Sequence, residues 1–203
     1  GGGISASGAF TVSQGASAGV YDITSIMGTF SDSNAGVSGA ITGLYQPVSY
    51  VSTTAALAPP GIALTTGGLS YDDTFYPAGN SPAICYDLIK GVPTLTYPFF
   101  GGVFDIFGVA FNIAGPGGYV GELWSNGDVG GGPIVYAAGL ANATGLVDDP
   151  NSGPNSGAPP GEFGSLTTSQ TPEPASLVLF GIGLLGVTAL WARKSRRLRS
   201  PQM

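Results

Sequence analysis

Through most of this chain, short β-patterned segments end on Gly, Asn, Ser or Pro before any of them reaches the length of a useful helix. Residues 9–13 (AFTVS), 21–30 (YDITSIMGTF), 37–45 (VSGAITGLY) and 48–53 follow one another at roughly ten-residue spacing, the rhythm of antiparallel hairpins. Apolar stretches broken by Pro77, Gly79, Asn80 and Pro82 come next. Residues 94–100, 102–113 (GVFDIFGVAFNI), 119–124 and 134–138 then form a second dense β region, with Asn126-Gly127 read as a hairpin turn. No stretch before residue 175 has a 3.6-residue apolar period, so little helix is expected there. The pattern predicts a mainly β fold over residues 1–147, an antiparallel β-sandwich or flattened barrel around one core. Tyr97, Phe99, Phe100, Phe104, Phe107 and Phe111 fall in one apolar zone and are expected to build that core. Residues 148–171, rich in Pro, Gly, Asn and Ser, read as a disordered, flexible spacer.

Charge is divided unevenly. Residues 1–171 hold one lysine, Lys90, against eleven carboxylates, a net charge of −10. So acidic a body does not neutralise phosphates, and no nucleic-acid partner is expected. Anionic membrane surfaces are disfavoured for the same reason. Charged residues are 9% of the chain and hydrophobic ones 43%, too apolar a mixture for disorder throughout and typical of exported β-proteins with neutral polar faces.

The chain contains no histidine, which excludes Ser-His-Asp and Cys-His nucleophilic sites and histidine-ligated metals. Cys85, the only cysteine, forms no internal disulfide and no thiolate metal site; it is expected to be a small buried hydrophobe. Carboxylates are the remaining candidates. Asp105 and Glu122 lie on or near neighbouring predicted strands, where a facing pair within about 10 Å would suit glycoside hydrolysis; each on a solvent face is the simpler expectation. Asp72-Asp73 and Asp148-Asp149 offer oxygen ligands for Ca²⁺, but neither fits a calcium-loop pattern, and turn-forming roles are expected instead. Trp124 is the candidate ligand-binding residue, since its ring would stack on a sugar. The chemistry on offer predicts no enzyme activity, no catalytic residue, no metal and no cofactor.

The last thirty residues differ in kind. Residues 175–192 contain no charge, and as a helix at about 1.5 Å per residue they span roughly 27 Å, close to a bilayer's hydrocarbon thickness. Pro172 and Pro174 set a sharp start. Arg193, Lys194, Arg196, Arg197 and Arg199 orient such a helix with its C-terminus in the cytoplasm, and Trp191 sits where an interfacial aromatic is expected. Gly181, Gly183 and Gly186 match the spacing of a dinucleotide fingerprint, yet no strand or βαβ unit accompanies them, so that reading is rejected.

Pro172, Glu173 and Pro174, the Leu/Gly-rich helix and the Arg-rich end, in this order, resemble the PEP-CTERM sorting signal of Gram-negative bacteria. The resemblance covers residues 172–199. It implies recognition by exosortase, a membrane-embedded cysteine transpeptidase-like enzyme, and cleavage near Pro172–Pro174, with the motif residues acting as determinants of a substrate. It also implies a signal peptide ahead of Gly1, a transient inner-membrane intermediate, and a destination at the cell surface or in the extracellular matrix, associated with exopolysaccharide and biofilm. Asn142-Ala143-Thr144 matches a glycosylation sequon, incidental in a bacterial protein. The expected function is therefore that of a non-catalytic exported surface or matrix protein. A glycan-binding module reading through Trp124 and a carbohydrate-active enzyme reading through Asp105 and Glu122 stand as alternatives.

Overall fold

The computed structural model describes residues 3–46, 63–82, 86–87, 92–93, 101–127, 133–148, 163–164 and 166–169. The chain divides into two compact units, Gly1–Leu166 and Thr167–Met203. The 175–192 helix, the sorting residues and the basic tail lie outside the described residues. Among those described, no helix is long and apolar enough to cross a membrane.

The first unit is antiparallel β. Strands β1 (Ile4–Gln14), β2 (Tyr21–Asp32) and β3 (Val37–Leu44) form a meander, and β9 (Val109–Ile113), β10 (Tyr119–Gly127), β11 (Val135–Asn142) and β12 (Gly145–Asp148) form a second. The two join through β3 and β9, giving the order β1-β2-β3-β9-β10-β11-β12. Between them run β4 (Ala63–Leu64), β5 (Ser70–Tyr71), β6 (Thr74–Phe75), β7 (Tyr86–Asp87) and β8 (Val92–Pro93). β6 pairs with the start of β2, Tyr21 opposite Phe75. β13 (Phe163–Gly164) pairs with β11, so the stretch read as spacer supplies a strand to the sheet.

The sheet is rolled. Asp32 at the end of β2 interacts with Asp148 on β12, although β3, β9, β10 and β11 lie between them in the strand order. In a flat sheet with strands about 4.8 Å apart they would be about 24 Å distant. Rolling puts Phe30, Phe111 and Leu140 in a single core. Aromatic rings fill it: Phe30 meets Phe111 at 5.8 Å between centroids, and Phe10 meets Phe75 edge-on at 4.9 Å. Phe104, Phe107 and Phe111 are buried as expected; Tyr97, Phe99 and Phe100 lie outside the described residues. A smaller cluster of Tyr45, Tyr71, Ala110 and Val120 also forms, with Tyr45 and Tyr71 edge to face.

Two local readings of the sequence are corrected. Residues 102–113 are not one strand: only Val109–Ile113 is extended, because the Asp105 carboxylate accepts the N–H groups of Phe107 and Gly108 and folds the preceding segment into a turn. Asn126-Gly127 is not a two-residue hairpin turn. β10 continues through it, with Gly127 opposite Val135 after a register shift. The local side chains favour this: the Trp124 indole N–H donates to Asn126 Oδ1 at 3.0 Å, and Ser125 Oγ accepts the Gly127 N–H at 2.9 Å. Asn126 is thereby spent on its own strand, and the positive φ of Gly127, 66°, suits a bulge.

Candidate functional site

No lysine, arginine or histidine lies among the described residues, yet Asp32, Asp105 and Glu122 are buried. A buried carboxylate without a cation must be held by N–H donors or keep its proton. The densest such group forms where the β5–β6 connector, Asp72-Asp73, meets the 105–108 turn.

Asp105 is 1% exposed. Its Oδ1 accepts Phe107 N–H at 2.9 Å and Gly108 N–H at 3.2 Å, while its carbonyl accepts the Ser125 N–H at 2.9 Å, fixing the turn to β10. The Asp72 carboxyl and the Tyr76 hydroxyl stand beside it and influence its charge, but neither meets hydrogen-bond geometry at Oδ2. Asp72 Oδ1 accepts the Thr74 N–H at 3.0 Å.

Asp73 ties three elements together. Its carbonyl accepts the Ile23 N–H of β2 at 2.8 Å, its own N–H donates to Gly108 O at 2.9 Å, and its Oδ1 accepts the Ala110 N–H of β9 at 3.2 Å. It does so at φ 56°, a left-handed conformation that Asp tolerates better than most residues.

Burial, reinforced by the Asp105 charge, pushes the Asp72 carboxyl up to about 8. Burial pushes Asp73 up to about 7, against the pull of the Ala110 N–H. Asp105 is also raised by burial, opposed by its two backbone donors. Tyr71 and Tyr76 are raised by burial first, then by the charge of Asp73 and Asp105 respectively. Near neutral pH the connector's carboxyls thus keep part of their protons. Asp32 follows the same rule at the far end of β2: 1% exposed, it accepts the Asn34 and Ala35 N–H groups through Oδ1, and burial, with Asp148 nearby, raises it.

Glu122, 3% exposed, sits on β10 opposite Ala110 and Gly139. The carboxyl that the fold sets beside Asp105 is that of Asp72, 33 positions earlier in the chain. The described residues contain no group of three or more carboxylate or thiol side chains placed to hold a metal ion. Trp124 is 4% exposed, with its six-membered ring over Gly139 near Leu69. An inward-facing ring of this kind packs the core and offers no face for sugar stacking. With Trp191 replaced by phenylalanine, Trp124 emission should be blue-shifted and resist iodide quenching. Asn126→Ala should cost about 1 kcal/mol through the lost indole bond, read from urea melts.

The Asp72–Asp105–Tyr76 grouping was not legible in the sequence, because nothing local connects a β-turn connector to a turn one strand pair away. The available signal was the charge imbalance: one lysine cannot serve so many carboxylates.

No curated protein and no solved structure matches this chain. Residues 170–197 match the model of the PEP-CTERM protein-sorting motif. The matched segment contains Pro172, Glu173 and Pro174, the uncharged run and the first four basic residues of the tail. The motif implies export through a membrane-anchored intermediate to the cell surface, with exosortase as sorting partner. This chain thus carries, after its β-sheet unit, a PEP-CTERM protein-sorting motif and the exosortase-dependent route that such a motif implies.

Proposed function

We propose that the β unit is a non-catalytic component of the cell surface or extracellular matrix, associated with exopolysaccharide and biofilm. In this reading residues 175–192 hold the chain in the inner membrane with Arg193, Lys194, Arg196, Arg197 and Arg199 on the cytoplasmic side. Exosortase then cuts near Pro172–Pro174 and releases or transfers the body. The observation that carries this reading is the sorting motif at residues 170–197, which begins beyond Leu166, where the compact unit ends. The carboxylates support its second half: Asp73 and Asp105 are committed to backbone N–H groups that shape turns, as bracing groups are.

Mass spectrometry of the mature C-terminus, from cells with and without exosortase, tests the route. Cells with the enzyme should yield a chain ending near Pro172–Pro174, and cells without it the full length. Replacing Pro172, Glu173 and Pro174 together by alanine should leave the full-length chain in the inner membrane even when exosortase is present. An uncut chain in both strains would overturn the processing and leave a plain single-pass anchor. Release of reducing sugar from the cell's own exopolysaccharide, abolished by Asp105→Asn, would overturn the non-catalytic reading.

A further inference from the structure

β1 is an open edge. Among the described residues it pairs only with β2, over all eleven positions from Ile4 to Gln14, and nearly all its side chains are exposed on both faces of the sheet. Edge strands are normally blunted by charge, proline, a bulge or shortness. β1 has none of these: it carries no charged residue and no proline, and the extra residue of the β1–β2 bulge, Thr24, lies on β2. The opposite end of the sheet is different, for β12 has four residues and runs into Asp148-Asp149. Among the described residues, only one of the two edges is left fit for pairing.

We propose that β1 pairs antiparallel with β1 of a second copy of this chain, joining two sheets across a twofold axis at Ala9. The strand's own sequence selects this occupant. Residues of even number share the face of Phe10, whose ring packs inward on Phe75; residues of odd number face outward. With Ala9 opposite Ala9 of the second copy, the outer row sets Ser7 against Thr11 and Ser5 against Ser13, hydroxyl against hydroxyl. The inner row sets Gly8 against Phe10 and Ala6 against Val12, small against large, extending the core over side chains that one copy leaves exposed. Charge argues the same way. Two bodies of net charge −10 repel almost everywhere, and an uncharged strand is where they approach at least cost. This pairing adds about ten main-chain hydrogen bonds along the strand.

Site-directed oxidation of the full chain in excess detergent, with Cys85 replaced by alanine, tests the pairing and its register. Directly opposed residues have Cα atoms about 4.5–5.5 Å apart, within disulfide reach. Ala9→Cys should therefore cross-link to a dimer at least tenfold faster than Ser5→Cys, whose two copies would be about 27 Å apart. A mixture of Ser7→Cys and Thr11→Cys chains should form the mixed dimer ahead of either homodimer. Ala9→Lys, exposed and compatible with the fold, should abolish the β1-mediated dimer in sedimentation while leaving the circular dichroism unchanged. Equal cross-linking at positions 5 and 9, no cross-linking at 9, or a dimer that survives Ala9→Lys would each overturn the proposal.

Discussion

Gly108→Ala should lower the melting temperature of the β unit by about 10 °C. Two effects combine. Gly108 has φ 60°, where a Cβ costs about 1–2 kcal/mol. A Cβ there would also overlap the Leu123 carbonyl oxygen and crowd the Trp124 Cα at 2.8 Å. Both are backbone atoms of β10 with no rotamer to yield, so overpacking adds about 1–3 kcal/mol. A total near 4 kcal/mol, at about 2–4 °C per kcal/mol for a unit this size, gives a fall of that order. Gly36→Ala is the control: φ is 67° but nothing lies within 4 Å of the added carbon, so only the conformational cost remains. Equal melting temperatures for the two variants, measured by thermal denaturation, would show that the close approach of the 105–108 turn to β10 is not tight.

The second large effect is with pH. Asp72 and Asp73 are raised in the folded chain to about 8 and about 7 from an ordinary value near 3.8. The folded state therefore binds more protons than the unfolded one between about pH 4 and pH 8, and stability falls as pH rises through that window. The contribution is fully present below pH 4 and gone once both groups have ionised in the folded state. Each tenfold change in proton affinity between the two states is worth about 1.4 kcal/mol. Both side chains keep some contact with water, so we expect a loss of about 3 kcal/mol in total between pH 5 and pH 9. Exposed acids complete their titration by about pH 6, and with Cys85 replaced by alanine no thiol titrates near 8.5. The slope between pH 6.5 and 9 thus belongs to the buried carboxyls, those of the connector among them. Asp72→Asn keeps an oxygen for the Thr74 N–H and has no proton to lose. Urea melts should show a markedly flatter pH profile for it, and an unchanged slope would mean that Asp72 is ionised in the folded chain.

The pH effect arises from one compositional fact. A body with one lysine stabilises interior carboxylates with backbone donors and retained protons, and both depend on turn geometry. Asp105 illustrates this: its two N–H donors come from its own turn, so the Asp-x-Phe-Gly stretch is locally readable as a turn. The strand pattern nonetheless runs across it, because the flanking Val103, Phe104 and Phe107 are apolar and extended patterns tolerate such a run. Asn126-Gly127 departs in the opposite direction, as a strong turn pair drawn into a strand by Trp124 and Ser125. Trp124 itself resembles a binding residue on account of its type alone. Its burial over Gly139 depends on β10 and β11 pairing in a register that places a residue without a side chain beneath the ring.

What the sequence determined by itself is local or periodic. The alternation and spacing of short apolar segments specified antiparallel β structure, the lack of histidine and the lone cysteine removed whole classes of chemistry, and the contiguous tail could be recognised as a sorting motif. Tertiary structure alone decided that β3 pairs with β9 across a long excursion, that the sheet rolls until Asp32 reaches Asp148, and that Asp72 meets Asp105. The physical reason is sequence separation. Turn chemistry and side-chain alternation act over a few residues, whereas these contacts follow from burying one face of a twisted sheet, a choice made by the whole chain together.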